Sequence, residues 1–198
     1  MFASEAIFPP SHWKVTSAPA TEPLTATEVK TWLKVDNTAD DDLITILIQG
    51  AREWCERKCS LALITQTITE YFDYFPYWDT IQLSVSPLLT VTSIQCKDSA
   101  GATQTLDASA YYIVDTTASP SRIVKRDGAT WPGTFGERNA VTIVYTAGFG
   151  AAAAVPAKLK MAMLLRIAEN YNNRQDGPKT FRTAADEYLE QHREIWFR

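Results

Sequence analysis

The sequence is poor in the residues on which most enzyme chemistry is built. Its 198 residues include three Cys and two His. That leaves little for a disulfide framework or for a structural zinc site, which takes four ligands. No GxSxG elbow occurs, and neither His12 nor His192 has an evident nucleophile and acid beside it, as a triad requires. Basic charge is also short: 19 Lys and Arg stand against 23 Asp and Glu, a net charge of −4 with a pI near 5.2. Coating nucleic acid needs clustered cations, so that class of function is disfavoured. Long apolar runs are missing too. The longest, Ala147 to Ala157, is broken by Gly148, Gly150 and Pro156, far short of the ~20 residues of a membrane helix. Met1 to Pro10 carries Glu5 where a secretory signal has basic residues. The expectation is no membrane and, with an odd cysteine count, a reducing compartment.

What is present belongs to a folded protein. Hydrophobic residues make up 45% and charged residues 21%, which argues against wholesale disorder. Six Trp within 11% aromatics supply material for a core or for subunit contacts.

The hydrophobic period changes twice along the chain. Residues 1–23 hold Pro9, Pro10, Pro19 and Pro23 and read as an extended N-terminal arm, with Phe8 and Trp13 as candidate subunit or arm contacts, or else as a frayed terminus. Thr25-Ala26-Thr27-Glu28 fits a capping box that opens a short helix ending near Val35-Asp36. A longer helix follows, capped by Asn37 or Thr38, with Asp40, Asp41 and Asp42 in the dipole-favoured first turn. Leu43, Ile44, Leu47, Ile48, Ala51, Trp54 and Cys55 recur along it at helical spacing. From Ile64 to Tyr145 short alternating runs rich in Thr, Val, Ile and Tyr take over. Strands are predicted at 66–72, 80–85, 91–97, 103–106, 111–115, 121–126 and 140–145, with a hairpin turn at Asp98-Ser99-Ala100-Gly101. The helical period returns after Pro156, with Leu159, Met163, Leu164, Ile167, Ala168 and Tyr171 forming a broad apolar surface. A last helix is predicted from Thr183, with Asp186 as capping-box partner. It presents Ala185, Tyr188, Leu189, His192, Ile195 and Trp196 on one face. The expected fold is therefore α+β: a helical bundle from both chain ends (24–62 and 151–198) with an inserted, mainly antiparallel β-domain at 63–150.

Candidate chemistry is thin. Cys55 and Cys59 share a helix face and could bind a metal, but they fit buried small residues better. Gly148-Phe149-Gly150 lacks the third glycine of a dinucleotide loop, and the surrounding strands do not alternate with helices. A nucleotide-binding enzyme using that loop remains one alternative. A carbohydrate-binding β-module displaying Tyr71, Tyr74, Tyr77 and Trp78 is another. The chain's end is more telling. Glu194-Ile195-Trp196-Phe197-Arg198 places large apolar residues where polar ones are usual, which suits insertion into a neighbouring chain. Residues 151–198 carry 8 basic and 6 acidic groups, against 6 and 9 in residues 1–60 and 5 and 8 in residues 61–150. That segment suits an acidic receiving surface.

In family order from about residue 24 to about 174, the chain resembles the head–tail connector proteins of long-tailed bacteriophages. The matching stretches are 24–36 (Leu-Thr-Ala-Thr-Glu-Val-Lys-Thr-Trp-Leu-Lys-Val-Asp), Asp40-Asp41-Asp42-Leu43-Ile44 and 51–56. After them come Leu63-Ile64-Thr65-Gln66-Thr67 with Phe72-Asp73-Tyr74-Phe75-Pro76, then 87–94. Ala147-Gly148-Phe149-Gly150, Val155-Pro156-Ala157 and Tyr171-Asn172-Asn173-Arg174 complete the set. The resemblance implies a structural protein of a virion or phage-derived particle, assembled in the bacterial cytoplasm, with no enzymatic activity and no cofactor or metal. It implies a ring, twelve-fold in the family, beneath the portal protein and above a neck, stopper or tail-completion protein. DNA would pass through the ring without sequence-specific binding. It also implies a portal-docking role for Tyr188, Leu189, His192, Ile195, Trp196, Phe197 and Arg198.

Overall fold

The computed structural model describes residues 11–118, 120–134, 136–173 and 183–192. These fall into two compact units. One joins residues 11–18 to 66–148, and the other joins 19–65 to the described residues from 149 onward.

The helical unit begins with α1 (Ala26–Leu33), and its start follows from the sequence alone. The Thr25 hydroxyl accepts from the Glu28 N–H, while Glu28 accepts from the Thr25 N–H at 2.7 Å, so two orphan donors are satisfied reciprocally. Lys34 ends the helix in the left-handed region, φ 57°. Helix α2 (Asp41–Cys59) starts later than the Asn37 or Thr38 cap predicted for it. The Asn37 carboxamide instead accepts from the Ala39 N–H, turning the chain ahead of the helix, and Asp40 takes the cap position. A 3-10 turn (Ala152–Ala154) and Pro156 lead into α4 (Ala157–Asn172). Helix α5 (Ala184–Glu190) opens on the second predicted capping box, Thr183 with Asp186. The helices from both chain ends share one core: Val29, Ile44, Ile48, Ala51 and Cys55 with Leu159, Met163, Ile167, Ala185 and Leu189. The fold is α+β, and this part of it is a bundle built from the two ends.

The β-unit holds two open sheets, antiparallel throughout. Strands β1 (Ser11–Ser17), β2 (Gln66–Phe72), β4 (Leu88–Lys97), β5 (Thr103–Thr105) and β8 (Val141–Ala147) form a five-stranded sheet in the order β1-β2-β8-β4-β5. Strands β3 (Thr80–Gln82), β6 (Tyr112–Asp115) and β7 (Arg122–Lys125) form a second sheet in the order β3-β7-β6, with a one-turn helix, α3 (Ala108–Tyr111), leading into β6. The register places Ile68, Phe72, Ile94, Val141, Ile143 and Tyr145 on one face of the larger sheet, all buried. Ile81 and Ile123 are the buried counterparts in the smaller sheet. Two departures from the predicted strands have clear causes. Ser11–Ser17 is a strand because β2 offers it an edge to pair with. β3 stops at Gln82 because the Ser84 N–H turns to a side chain, the Glu70 carboxylate, rather than to a neighbouring strand.

Candidate functional site

The C-terminal helix carries the described part of the predicted docking face. Leu189, 1% exposed, and Ala185 belong to the bundle core, and Tyr188 is half-buried against it. Asp186 accepts from the Thr183 N–H and hydroxyl and pairs with Lys58 of α2. Desolvation opposes its charge, but these donors outweigh it and hold its pKa down at about 2. Lys58 and Arg166 lie over the Trp54 ring at 5.3 and 5.1 Å, adding cation–π contacts. The Lys158 ammonium donates to Gln191 at 2.6 Å. His192 is half-buried, and its Nε2 has no hydrogen-bond partner among the described residues. Burial first, and Lys158 second, lower its pKa. Tyr188, Leu189 and His192 thus lie together at one end of the chain, with Leu189 already taken up by the chain's own core. Ile195, Trp196, Phe197, Arg198 and Phe8 lie outside the described residues.

Trp13 is in the β-unit, on β1, and 42% exposed. The aromatics of the β2–β3 loop are partly organised. Phe75 stacks on Trp131 at 4.9 Å, and the Trp131 indole donates to the Trp78 carbonyl. Tyr74, Tyr77 and Trp78 are exposed.

The remaining chemical candidates have structural explanations. Cys55 and Cys59 are buried in the bundle core, burial pushes the Cys55 thiol strongly up, and the Cys59 thiol donates to the Leu189 carbonyl. Among the described residues no group of three or more His, Cys, Asp or Glu is placed to hold a metal ion. Gly148 and Gly150 adopt φ of 137° and 107°, conformations that side chains disfavour, so the chain needs glycine there for its turn. No helix among the described residues is long and apolar enough to cross a membrane.

Sequence reasoning missed the buried carboxyl group of Glu70. Glu70 is fully buried on the inner face of β2. Its Oε2 accepts from the Ser84 N–H at 2.9 Å and the Tyr145 hydroxyl at 3.0 Å, and its Oε1 lies 2.5 Å from the Ser84 hydroxyl. Ser11 of β1 supplies a further side-chain hydrogen bond. Desolvation raises the Glu70 pKa despite these donors, and burial next to Glu70 raises that of Tyr145. The available signal was a lone acid at an inward-facing position of an alternating strand.

Residues 24–112 match the family model of the phage gp6-like head-tail connector proteins. This stretch, just under half of the chain, runs from the lead into α1 as far as the start of β6. The resemblance carried by the sequence motifs is borne out. Similar folds occur among solved structures of gene transfer agent particles. A chain in the neck of an empty particle, computed with C6 symmetry, matches with a TM-score of 0.79 and 24% identity, covering 93% of this chain and 96% of that one. A chain in the virion of a native particle matches with a TM-score of 0.77 and 24% identity over the same shares. A chain in the neck of a native particle, computed with C12 symmetry, gives 0.67 and 23%, covering 92% and 96%. At these identities the likeness is one of fold. No curated protein sequence matches the chain.

Proposed function

We propose that this chain is a structural head–tail connector of a virion or phage-derived particle. The observation that carries the reading is the coincidence of two matches: the connector family over residues 24–112, and the whole fold with chains of particle necks. In this role the chain forms a ring of twelve beneath the portal, extends the DNA channel and offers a platform to the neck or tail protein below. The C12 symmetry of one matching neck supports that copy number. A closed ring joins each copy to the next through two different surfaces, so individual contacts can be weak and still close on a template. The chain acts by assembly and not by turnover, without cofactor or metal. A nucleotide enzyme using Gly148–Gly150 and a carbohydrate-binding module gain no support from either match.

The portal contact in this reading is the C-terminal tail, with Trp196 and Phe197 as anchors, Ile195 and Arg198 beside them, and Tyr188 and His192 at the rim. Trp13 and Phe8 serve contacts between copies. The test is removal of the chain in a producing cell. DNA-filled heads without tails are expected, restored by the full-length chain and not by one truncated after His192. Normal tailed particles in its absence would refute the connector role. Full restoration by the truncated chain would move the portal anchor elsewhere.

A further inference from the structure

Strand β1 belongs to the β-unit, while the chain that follows it, residues 19–65, builds the helical unit. Its partner β2 begins only at Gln66. The link into the helical unit is short. Glu22 is tied to Arg52 at 2.8 Å, and Pro23 and Leu24 are buried, so Ala18-Pro19-Ala20-Thr21 is the whole hinge. Pro19 fixes one of its backbone angles. β1 adds an edge to the sheet without entering its core: Ser11 is half-buried, and His12 to Ser17 are all exposed. The contacts that hold it are separable. They are the backbone pairing from Ser11↔Phe72 to Ser17↔Thr67, the stack of His12 on Tyr71 at 4.9 Å, Lys14 at 5.6 Å from the same ring, and the Thr16 and Thr69 hydroxyls at 2.5 Å. Ser11 adds one of the hydrogen bonds to buried Glu70. Trp13 and Val15 lie in register with Glu70 and Ile68, on the inner side of the sheet, and still are each 42% exposed. The chain by itself leaves that apolar surface uncovered.

The same contacts form equally well when β1 comes from another copy, because exchanging an identical element preserves every pairing and costs little. Short hinges favour such exchange. A neighbour held close in a ring supplies the strand at high effective concentration. None of the β1 side chains is part of the buried core, so β1 can leave its own sheet without pulling a core residue with it. We propose that in the assembled ring each copy donates β1 to the next, where it pairs with β2 in the register Ser11↔Phe72 to Ser17↔Thr67 and brings a second chain beside Trp13 and Val15. The partner is a second copy of this chain. Donor and acceptor surfaces differ, a strand on one copy and the β2 edge on the other, as a closed cyclic ring requires. The proposal rests on the connector reading and deepens it by naming how neighbouring copies are joined.

The test places cysteines at one cross-strand pair, His12→Cys with Tyr71→Cys, in assembled particles and joins them with a short bifunctional thiol reagent. Residues directly opposite on paired strands lie about 5 Å apart at Cβ, within reach of such a reagent. Denaturing gels are expected to show a ladder of covalent oligomers of this chain, several-fold stronger than internally linked monomer. Monomers alone, linked internally or not at all, overturn the exchange. In a second arm particles are assembled from two differently tagged chains, one carrying only His12→Cys and the other only Tyr71→Cys. The native Cys55, Cys59 and Cys96 are buried, and particles made from either chain alone are the control for them. Adducts that carry both tags are expected from the mixture and not from the controls; a mixture without them also overturns the exchange. Mass spectrometry of purified wild-type necks separates the two levels. If this chain is missing there, the connector reading has failed; if it is present and the cysteine pair closes internally, only the exchange has failed.

Discussion

The two units handle a buried charge in opposite ways. In the helical unit Arg52 is 7% exposed, and its guanidinium meets Glu22 at 2.8 Å and Glu56 at 2.8 Å. Burial works against its charge, but those carboxylates outweigh it and raise its pKa. Glu56 is raised by desolvation, opposed by the Leu63 N–H at 2.9 Å and by Arg52. Charge there is kept and countered. In the β-unit Glu70 hydrogen-bonds to the Ser84 amide and hydroxyl, the Tyr145 hydroxyl and Ser11, and to no cation among the described residues. A buried ion with no counter-ion is expensive, and a carboxyl group so placed tends toward its neutral form. The buried charge of one unit is therefore met by counter-ions and the buried carboxyl of the other by hydrogen-bond donors, a distinction that burial alone does not reveal.

The largest effect expected from this contrast is at Arg52. Arg52→Ala removes the counter-ion of the largely buried Glu56 carboxylate and should cost about 3 kcal/mol, in the range for breaking a buried pair. Urea denaturation of the purified chain checks it, and a loss below ~1 kcal/mol would mean that water reaches the network. Glu70→Ala removes the acceptor of several buried donors at once and should cost about 2–3 kcal/mol.

The isosteric swaps sharpen the contrast. Glu70→Gln keeps an acceptor for the Ser84 amide and Tyr145 and can donate to the Ser84 hydroxyl, so it should cost under about 1 kcal/mol. Glu56→Gln removes a countercharge from Arg52 and should cost more. The reverse order would overturn the distinction.

The pH dependence follows with a definite sign. Glu70 has a folded pKa above its usual value of 4.5, so the folded state holds the proton more tightly than the unfolded one. Its contribution to stability is full below pH ~4.5 and is lost as pH rises through the raised value. Melting curves across that window should show this loss in the wild type and its absence in Glu70→Gln. Asp186 has the opposite sign. Its pKa is lowered to about 2, so its contribution is present above its usual value of 3.8 and is lost as pH falls toward 2. The smallest effect is at the same helix start, where Thr183→Ala should cost about 1 kcal/mol of cap, seen as faster amide exchange in α5.

How much of this could be read from the sequence depended on range. Both capping boxes, Thr25 with Glu28 and Thr183 with Asp186, were legible because their donors and acceptors are three residues apart. The Asp98–Gly101 turn was legible for the same reason: Asp98 accepts from Ala100 and Ala102 within its own loop. The β1 strand was not, since an extended segment among prolines becomes a strand only when β2, some fifty residues on, supplies the edge. Glu70 was not, because its donors Ser84 and Tyr145 come from distant segments. For the docking face, helical spacing put Tyr188, Leu189 and His192 on one side of the last helix expected from the sequence but could not tell a core-facing side from a partner-facing one. Leu189 proves to be core.

The most direct test of the central claim is a reconstruction of the neck of the particle that carries this chain, refined without imposed symmetry. The connector account predicts a closed ring of twelve copies directly beneath the portal, with the chain's own fold fitting the density. A single copy per particle, or a position at the tail tip, would contradict it.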